Sequence, residues 1–183
     1  MRWSALVVTA LGAWMVAGVA AAGQPGGAVE ASLRMDVGGG ALMPMGWPND
    51  AGFVAMPVAD LGIGMLVTGG GGRTVKPAFT TSVHGTAGYI ALGIDLRAGF
   101  GLVVDRERHR LLLTGGPLAQ SAVLVAGARA QGLGGYLETA VLRQVGRHAH
   151  AGIRFHVGVT AAVPRREAYT SVTSTVAFVC LLH

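Results

Sequence analysis

Residues 88–104 read Gly-Tyr-Ile-Ala-Leu-Gly-Ile-Asp-Leu-Arg-Ala-Gly-Phe-Gly-Leu-Val-Val, and this stretch decides the fold. From Ile90 onward every second residue is apolar, while the residues between are mostly glycines and charges, including Asp95 and Arg97. Because side chains on a strand point alternately to its two faces, the pattern predicts one long strand with an apolar and a polar face. Such a strand exceeds the usual length of about 5–6 residues and can cross a bilayer, which takes roughly 9–11 tilted residues.

The same alternation recurs along the chain. It is cleanest in residues 28–37 and is long again in residues 147–163. Short turns separate the alternating segments, as is typical of an antiparallel meander. Nine segments can be counted, but a closed bacterial barrel has an even number of strands. Residues 109–114 form the weakest segment, so the pattern predicts eight strands, with ten as the alternative.

Turns are predicted where glycine, proline or polar residues cluster. Among them are the glycine-rich stretches at residues 38–40, 115–117 and 132–135 and the polar stretch at residues 84–87. The first of these is expected to open the most exposed loop, residues 38–52.

The first 22 residues have the features of a secretory signal. Arg2 provides a positive start, residues 3–20 are almost entirely apolar, and small residues follow up to Ala22. This predicts a signal peptide at residues 1–22 and a mature barrel domain at residues 23–183. An uncleaved membrane anchor is the alternative, but the residues after the run are small and uncharged, unlike a stop-transfer segment.

Composition excludes several classes of function. The formal charge is +5, yet charged residues make up only 13% of the chain, against about 25% in ordinary soluble domains. The basic residues are scattered along the predicted strands, so no nucleic acid is expected as a partner. The single cysteine, Cys180, excludes an internal disulfide. The glycine runs at 38–40 and 69–72 are followed by neither Lys-Ser/Thr nor a helix, so they do not indicate phosphate loops.

An exported chain of alternating strands resembles the small outer-membrane β-barrels of Gram-negative bacteria, over roughly residues 28–182. The resemblance implies an all-β, antiparallel, up-and-down barrel in the outer membrane, with apolar residues facing lipid and the others filling the lumen. We expect a monomer whose main partner is outer-membrane lipid. Pro77 and Arg143 fall on the lipid face, and Arg143 lies close enough to the turn at Gly146 to sit at the membrane interface. A periplasmic or secreted soluble β-sandwich that binds a ligand is the structural alternative.

The polar faces carry charges that we expect to pair inside the barrel. A barrel of eight strands has its interior filled by side chains, and buried charges need partners. The sequence therefore predicts an internal charge network, with a narrow pore or gate as the alternative. The predicted network consists of Glu30, Arg34, Asp36, Asp60, Lys76, Asp95, Arg97, Arg129, Glu138 and Arg154.

Three histidines lie on the polar face of residues 147–163. His148 and His150 are neighbours on that face, a spacing that can chelate a metal, and Glu138 on the adjacent strand is the candidate third ligand. His156 lies roughly 20 Å from His150 at strand rise and cannot share that ion. Ordinary lumen or rim histidines are the favoured interpretation, so no metal and no cofactor are predicted.

A hydrolase would need Ser, His and an acid together. Ser82 and His84 share one face, but at a predicted turn with no obvious acid. Outer-membrane lipid A deacylases carry a His-x-Ser-Asn stretch on a barrel strand, and the nearest stretch here, residues 148–151, lacks both Ser and Asn. No catalytic residue is therefore predicted.

The sequence accordingly favours a barrel with a structural, adhesion or envelope-stabilising role. Met45 and Trp47, in the predicted loop at residues 38–52, are candidate contacts for lipopolysaccharide or for a partner on a host or cell surface. A lipid A-modifying hydrolase of the deacylase type is the alternative from the enzyme class.

Overall fold

The structure is a computed structural model that describes residues 29–45, 55–70, 73–89, 91–124, 129–162 and 170–183. The predicted signal peptide and Trp47 lie outside the described residues.

Eight antiparallel strands form one closed barrel in chain order. Each strand pairs with the next, and the last pairs with the first, so the predicted eight-stranded up-and-down barrel is confirmed. The strands are β1 (Glu30–Met45), β2 (Met56–Thr68), β3 (Val75–Gly88), β4 (Ala91–Arg106), β5 (His109–Leu124), β6 (Arg129–Gly146), β7 (Ala149–Ala162) and β8 (Thr170–Leu182). Within the described part of the chain, no helix is long and apolar enough to span a membrane.

The two ends of the barrel differ in how the strands are connected. At one end lie the start of β1, the end of β8, the two-residue turns at 107–108 and 147–148, and the connection at 69–74. We call this end the short-turn rim. The opposite end has the connections at 89–90 and 125–128 and the two longest of the barrel, residues 46–55 and 163–169.

Four predicted turns were wrong, because the strands continue through them. Residues 38–40 lie within β1, 84–87 within β3, 115–117 within β5 and 132–135 within β6. The weak segment that was counted separately is the first part of β5, which is why nine segments form eight strands. The predicted loop at residues 38–52 is thus strand up to Met45.

Glycines on the inner face provide space for neighbouring strands rather than turns. A Cβ atom at Gly101 would overlap the carbonyl oxygen of Leu113, and one at Gly134 would overlap that of Val159. Close strand packing therefore requires glycine at these positions, and a glycine-rich stretch can continue a strand instead of ending it.

The outer face is an apolar surface. On β4, Leu92 and Ile94 are 66% and 56% exposed, whereas Asp95 and Arg97 are buried, so this strand faces lipid and lumen as the alternation predicted. Exposed aliphatic side chains continue around the other strands. A continuous apolar surface of this size suits lipid and not water.

The inner face is not polar throughout, which the alternation did not predict. A cluster of buried apolar side chains lies inside the barrel, drawn from β2 to β6 and β8. This inner apolar cluster consists of Leu66, Ala78, Val103, Leu112, Ala140, Leu142, Val179 and Leu181.

Single cysteines in a Cys180→Ser background can test which side chains of β6 face lipid and which face the lumen. Leu137 is 61% exposed on the outer face, and Leu142 is 1% exposed in the inner apolar cluster. A lipid-soluble pyrene maleimide should label Leu137→Cys in the folded protein and Leu142→Cys only after unfolding in urea. Labelling of folded Leu142→Cys but not of Leu137→Cys would show that the register of β6 is shifted by one residue.

Candidate functional site in the barrel lumen

The lumen holds its polar side chains in separate groups along the barrel. On β3, Lys76 lies nearest the short-turn rim, Ala78 belongs to the inner apolar cluster, and Ser82 and His84 lie beyond it. On β4, Asp105, Val103 and Arg97 follow one another in the same way from the rim inward. The apolar cluster therefore separates a rim group from a central group.

The central cluster is a network of buried charges. Its side chains come from β1, β2, β3, β4, β6 and β7, and all are at most 2% exposed. Because water cannot solvate them there, each charge depends on its partners. The central cluster consists of Arg34, Asp36, Asp60, His84, Asp95, Arg97, Glu138 and Arg154.

Arg34 connects two carboxylates across the lumen. Its Nε donates to Asp36 Oδ2 at 2.9 Å and its Nη2 to Asp36 Oδ1 at 3.2 Å. Nη1 and Nη2 donate to Glu138 at 2.5 and 2.8 Å. Such bidentate pairs use the planar guanidinium fully. Arg34 thereby joins β1 to β6, which are not neighbours in the sheet.

Arg154 adds a second cation to the same carboxylates. Its guanidinium is hydrogen-bonded to Asp60 and lies 3.4 Å from Glu138 Oε2 and 3.7 Å from Asp36 Oδ1. The carboxylate of Glu138 is thus shared by two arginines, so its charge is needed by both.

Arg97 and His156 form fewer hydrogen bonds than Arg34 and Arg154 do. Arg97 donates one hydrogen bond to Asp95 at 3.1 Å, and its Nε and Nη1 have no hydrogen-bond partner among the described residues. His156 stacks on Tyr136 with ring centroids 5.6 Å apart, and neither ring nitrogen has a hydrogen-bond partner there. Charge attraction and ring packing, rather than a full set of hydrogen bonds, hold this side of the cluster.

Three side chains of the lumen are arranged like the nucleophile, base and acid of a hydrolase. They are Ser82, His84 and Asp60. His84 Nε2 is 3.1 Å from Ser82 Oγ, and His84 Nδ1 is 3.0 Å from Asp60 Oδ1. The prediction that His84 sits at a turn without an acid was wrong, because β3 continues through His84 and β2 brings Asp60 beside it. All three residues are buried, with Ser82 the most exposed at 6%. The arrangement therefore lacks access for a substrate.

Two glycines of β2 let these side chains meet. Gly62 lies between Asp36 and His84 in the cross-strand row, and a Cβ atom at Gly62 would overlap the His84 ring. The ring uses that space and comes within 3.6 Å of Asp36 Oδ2. Gly64 lies in the same way between Arg34 and Ser82, and a Cβ atom there would overlap the carbonyl oxygen of Thr81 and the side chain of Ser82. In the sequence, the signal for the central cluster is thus a pair of glycines, Gly62 and Gly64, on a strand whose neighbours carry inward-facing polar and charged residues.

A second polar group, the rim cluster, closes the short-turn rim. Asp105 accepts hydrogen bonds from Arg110 Nε at 2.6 Å and Nη2 at 3.2 Å, and it forms an ion pair with Lys76 at 2.8 Å. Glu30 pairs with Arg110 at 3.1 Å. The predicted charge network contained neither Asp105, at the end of β4, nor Arg110, in the weak segment at residues 109–114. The rim cluster consists of Glu30, Lys76, Asp105, Arg110, His150 and His183.

Two histidines extend the rim cluster as a chain of hydrogen bonds. His183 Nδ1 is 2.8 Å from Glu30 Oε1, and His183 Nε2 is 2.9 Å from His150 Nδ1. Burial lowers the pKa of His183 below its ordinary value, while Glu30 acts in the opposite direction. A neutral His183 ring protonated at Nδ1 can donate to Glu30 and accept at Nε2 from His150, while Ser32 Oγ lies 2.7 Å from the same Nδ1.

The structure distributes the predicted lumen residues between the two groups. Glu30 and Lys76 lie in the rim cluster, and the side chain of Arg129 lies outside the described residues. The other predicted charges lie in the central cluster. They are Arg34, Asp36, Asp60, Asp95, Arg97, Glu138 and Arg154.

The predicted trio of His148, His150 and Glu138 does not come together. Glu138 is opposite His156 in the β6–β7 pair, His150 is opposite Gln144, and His148 belongs to the turn at 147–148. Among the residues that the structure describes, no three His, Cys, Asp or Glu side chains are grouped as metal ligands.

Comparisons with known proteins match the fold alone. No protein-family model matches the chain, and no curated protein does. Neisserial surface protein A matches with a TM-score of 0.57 at 11% identity, over 84% of this chain and 99% of that one. The attachment invasion locus protein Ail of Yersinia pestis gives a TM-score of 0.46 at 6% identity, over 82% and 99%. The translocator domain of NalP from Neisseria meningitidis gives 0.35 at 14% identity, over 95% and 67%.

The chain therefore has the fold of the small outer-membrane β-barrels of Gram-negative bacteria, as its sequence predicted. Its apolar outer face and filled, charged lumen are those of a barrel that spans a membrane.

Gly62→Ala tests the space that β2 leaves for His84. The added methyl group should displace the imidazole and lower the free energy of unfolding by about 1–3 kcal/mol, the usual cost of overpacking. The matched control is Gly85→Ala, where the new Cβ would lie 3.9 Å from Leu61 O on the exposed face. Urea unfolding in lipid vesicles, followed by Trp47 fluorescence, measures both. Equal losses in the two variants would contradict the assigned role of Gly62.

Glu138→Gln tests the shared carboxylate. In the variant, Asp36 and Asp60 still pair with Arg34 and Arg154, but Arg34 loses two hydrogen bonds to a carboxylate. Hydrogen bonds to charged groups contribute about 1.5–3 kcal/mol each, so the free energy of unfolding should fall by about 3–5 kcal/mol. Glu30→Gln is the control, because the Glu30 side chain is 35% exposed at the rim and its pairs should contribute at most about 1 kcal/mol. A loss for Glu138→Gln no larger than for Glu30→Gln would show that the central cluster does not stabilise the barrel.

Proposed function

We propose that this protein is an outer-membrane barrel with a structural and surface-contact role, which neither conducts ions nor carries out catalysis. The observation that carries the proposal is the filled lumen. The central cluster, the inner apolar cluster and the rim cluster follow one another along the barrel, and most of their side chains are buried. An interior filled in this way leaves the ends of the barrel as the surfaces available to partners.

The connections support an orientation in the membrane. Barrels of this class have short periplasmic turns and longer extracellular loops. The short-turn rim therefore faces the periplasm, and the connections at residues 46–55 and 163–169 face outward. The outward connections contain Trp47, Arg165 and Arg166, which are residue types enriched at protein interfaces.

The lumen also argues against the alternative of a lipid A-modifying hydrolase. The described Ser-His-Asp arrangement of Ser82, His84 and Asp60 lies in the central cluster. A bulky lipid can reach it neither from the bilayer, since these side chains face inward, nor through the filled lumen.

The proposal predicts three measurements on the folded chain. Planar bilayers should show no stepwise current, because no continuous water path crosses the central and inner apolar clusters. Incubation with lipopolysaccharide should leave the mass of lipid A unchanged.

Gram-negative cells that display the chain should adhere to a host-cell surface more than cells with an empty vector, and Trp47→Ala should reduce that gain.

Asn49→Ala is the matched control for Trp47→Ala, since it alters the same connection without removing the aromatic ring. Stepwise current would support a pore, and loss of an acyl chain that Ser82→Ala prevents would support a deacylase. If cells that display the chain adhered no better than cells with the empty vector, the proposed surface-contact role would be contradicted.

A further inference from the structure

Three basic side chains lie side by side on the outside of the barrel at the short-turn rim. Arg106 of β4 pairs in register with His109 of β5, and His109 pairs with Arg143 of β6. All three residues are exposed, and each continues the outward-facing positions of its strand. Directly paired residues on one sheet face have Cβ atoms about 4.5–5.5 Å apart. The three side chains therefore form one continuous row, which we call the outer row.

The next row toward the middle of the barrel is entirely apolar. It consists of Val104, Leu111 and Val141, which pair in the same way on the same three strands. On each of these strands the outward-facing side chains change from apolar to basic within two residues, and this change marks where the hydrocarbon region ends. Lipid phosphates lie just beyond that boundary, so the outer row is at their depth.

The outer row has no internal counter-charge. Neither Arg106, His109 nor Arg143 forms an ion pair or a side-chain hydrogen bond with another residue that the structure describes. The arginines of the lumen, in contrast, all have carboxylate partners. The adjoining turns add exposed Arg108 and Arg147 and one exposed acid, Glu107, so the rim outside the barrel stays positive.

We propose that Arg106, His109 and Arg143 form a binding site for the phosphate of an anionic phospholipid headgroup in the periplasmic leaflet. Two guanidinium groups offer paired N–H donors that match phosphate oxygens, and the imidazole between them offers one more donor. A phospholipid fits better than a soluble anion because its acyl chains lie against the apolar row of β4 to β6. Lipopolysaccharide also carries phosphate, but on the orientation proposed above it occupies the opposite leaflet.

Native mass spectrometry of the mature chain can test this site after refolding in micelles with equal amounts of phosphatidylglycerol and phosphatidylcholine. The chain should retain phosphatidylglycerol in preference to phosphatidylcholine. Arg143→Gln should reduce that preference about fivefold, and Arg106→Gln together with Arg143→Gln about 25-fold, the reductions expected from about 1 kcal/mol for each basic side chain near a lipid surface. Both positions are exposed, and heat-modifiable gel migration verifies that the variants fold.

Arg73→Gln is the matched control, because Arg73 is an exposed arginine outside the outer row. Its variant should retain the preference. If Arg73→Gln and Arg143→Gln lowered the preference for phosphatidylglycerol equally, net charge alone would explain the preference, and the proposed site would be overturned. Displacement of the lipid by millimolar inorganic phosphate, or stronger retention of lipopolysaccharide than of phosphatidylglycerol, would overturn the choice of ligand. Failure to insert into vesicles, measured separately, would instead contradict the proposed membrane role.

Discussion

Closing the sheet into a barrel places charged side chains where water cannot solvate them, and the rest of the structure depends on how those charges are paired. Arg34 on β1 reaches Glu138 on β6 across the lumen, and Arg154 on β7 reaches Asp60 on β2. These pairs join strands that are not sheet neighbours. The pairs therefore form only when the barrel closes, and a closed barrel without them would hold unpaired buried charges, each costing several kcal/mol.

Space for these pairs comes from glycine. Where β2 carries Gly62, the His84 side chain of β3 reaches Asp36 of β1 over its backbone. Gly99 similarly makes room for the hydroxyl group of Tyr136. Glycine usually weakens a strand because it has no side chain to pack. Here its missing side chain is replaced by a large neighbour from another strand, so the lumen stays filled.

Most of the arginines that the structure describes fall into two populations with different physical roles. Those of the lumen are buried and paired with carboxylates, so they hold the barrel together. Those of the outer row and the adjoining turns are exposed and have no carboxylate partner among the described residues. The net positive charge of the chain thus lies partly at one rim, where it bears on the surrounding membrane rather than on the fold. The proposed functions follow this division, since a filled lumen leaves the rims as the surfaces for partners.

The sequence by itself determined the barrel, because alternation with a period of two can satisfy both lipid and lumen only on a strand. It also indicated that Arg34 and Asp60 face inward, since each lies between apolar neighbours. Which charges would meet could not be read from it, because the partners are far apart in the chain and depend on register and strand tilt. The glycine stretches were misread as turns for the same reason: only the neighbouring strands show that Gly116 and Gly134 serve close packing. His84, assigned to a turn, became part of the central cluster once β3 and β2 paired through it. Tertiary structure alone decided these points, since cross-strand contacts are set by the closure of the barrel and not by the local pattern.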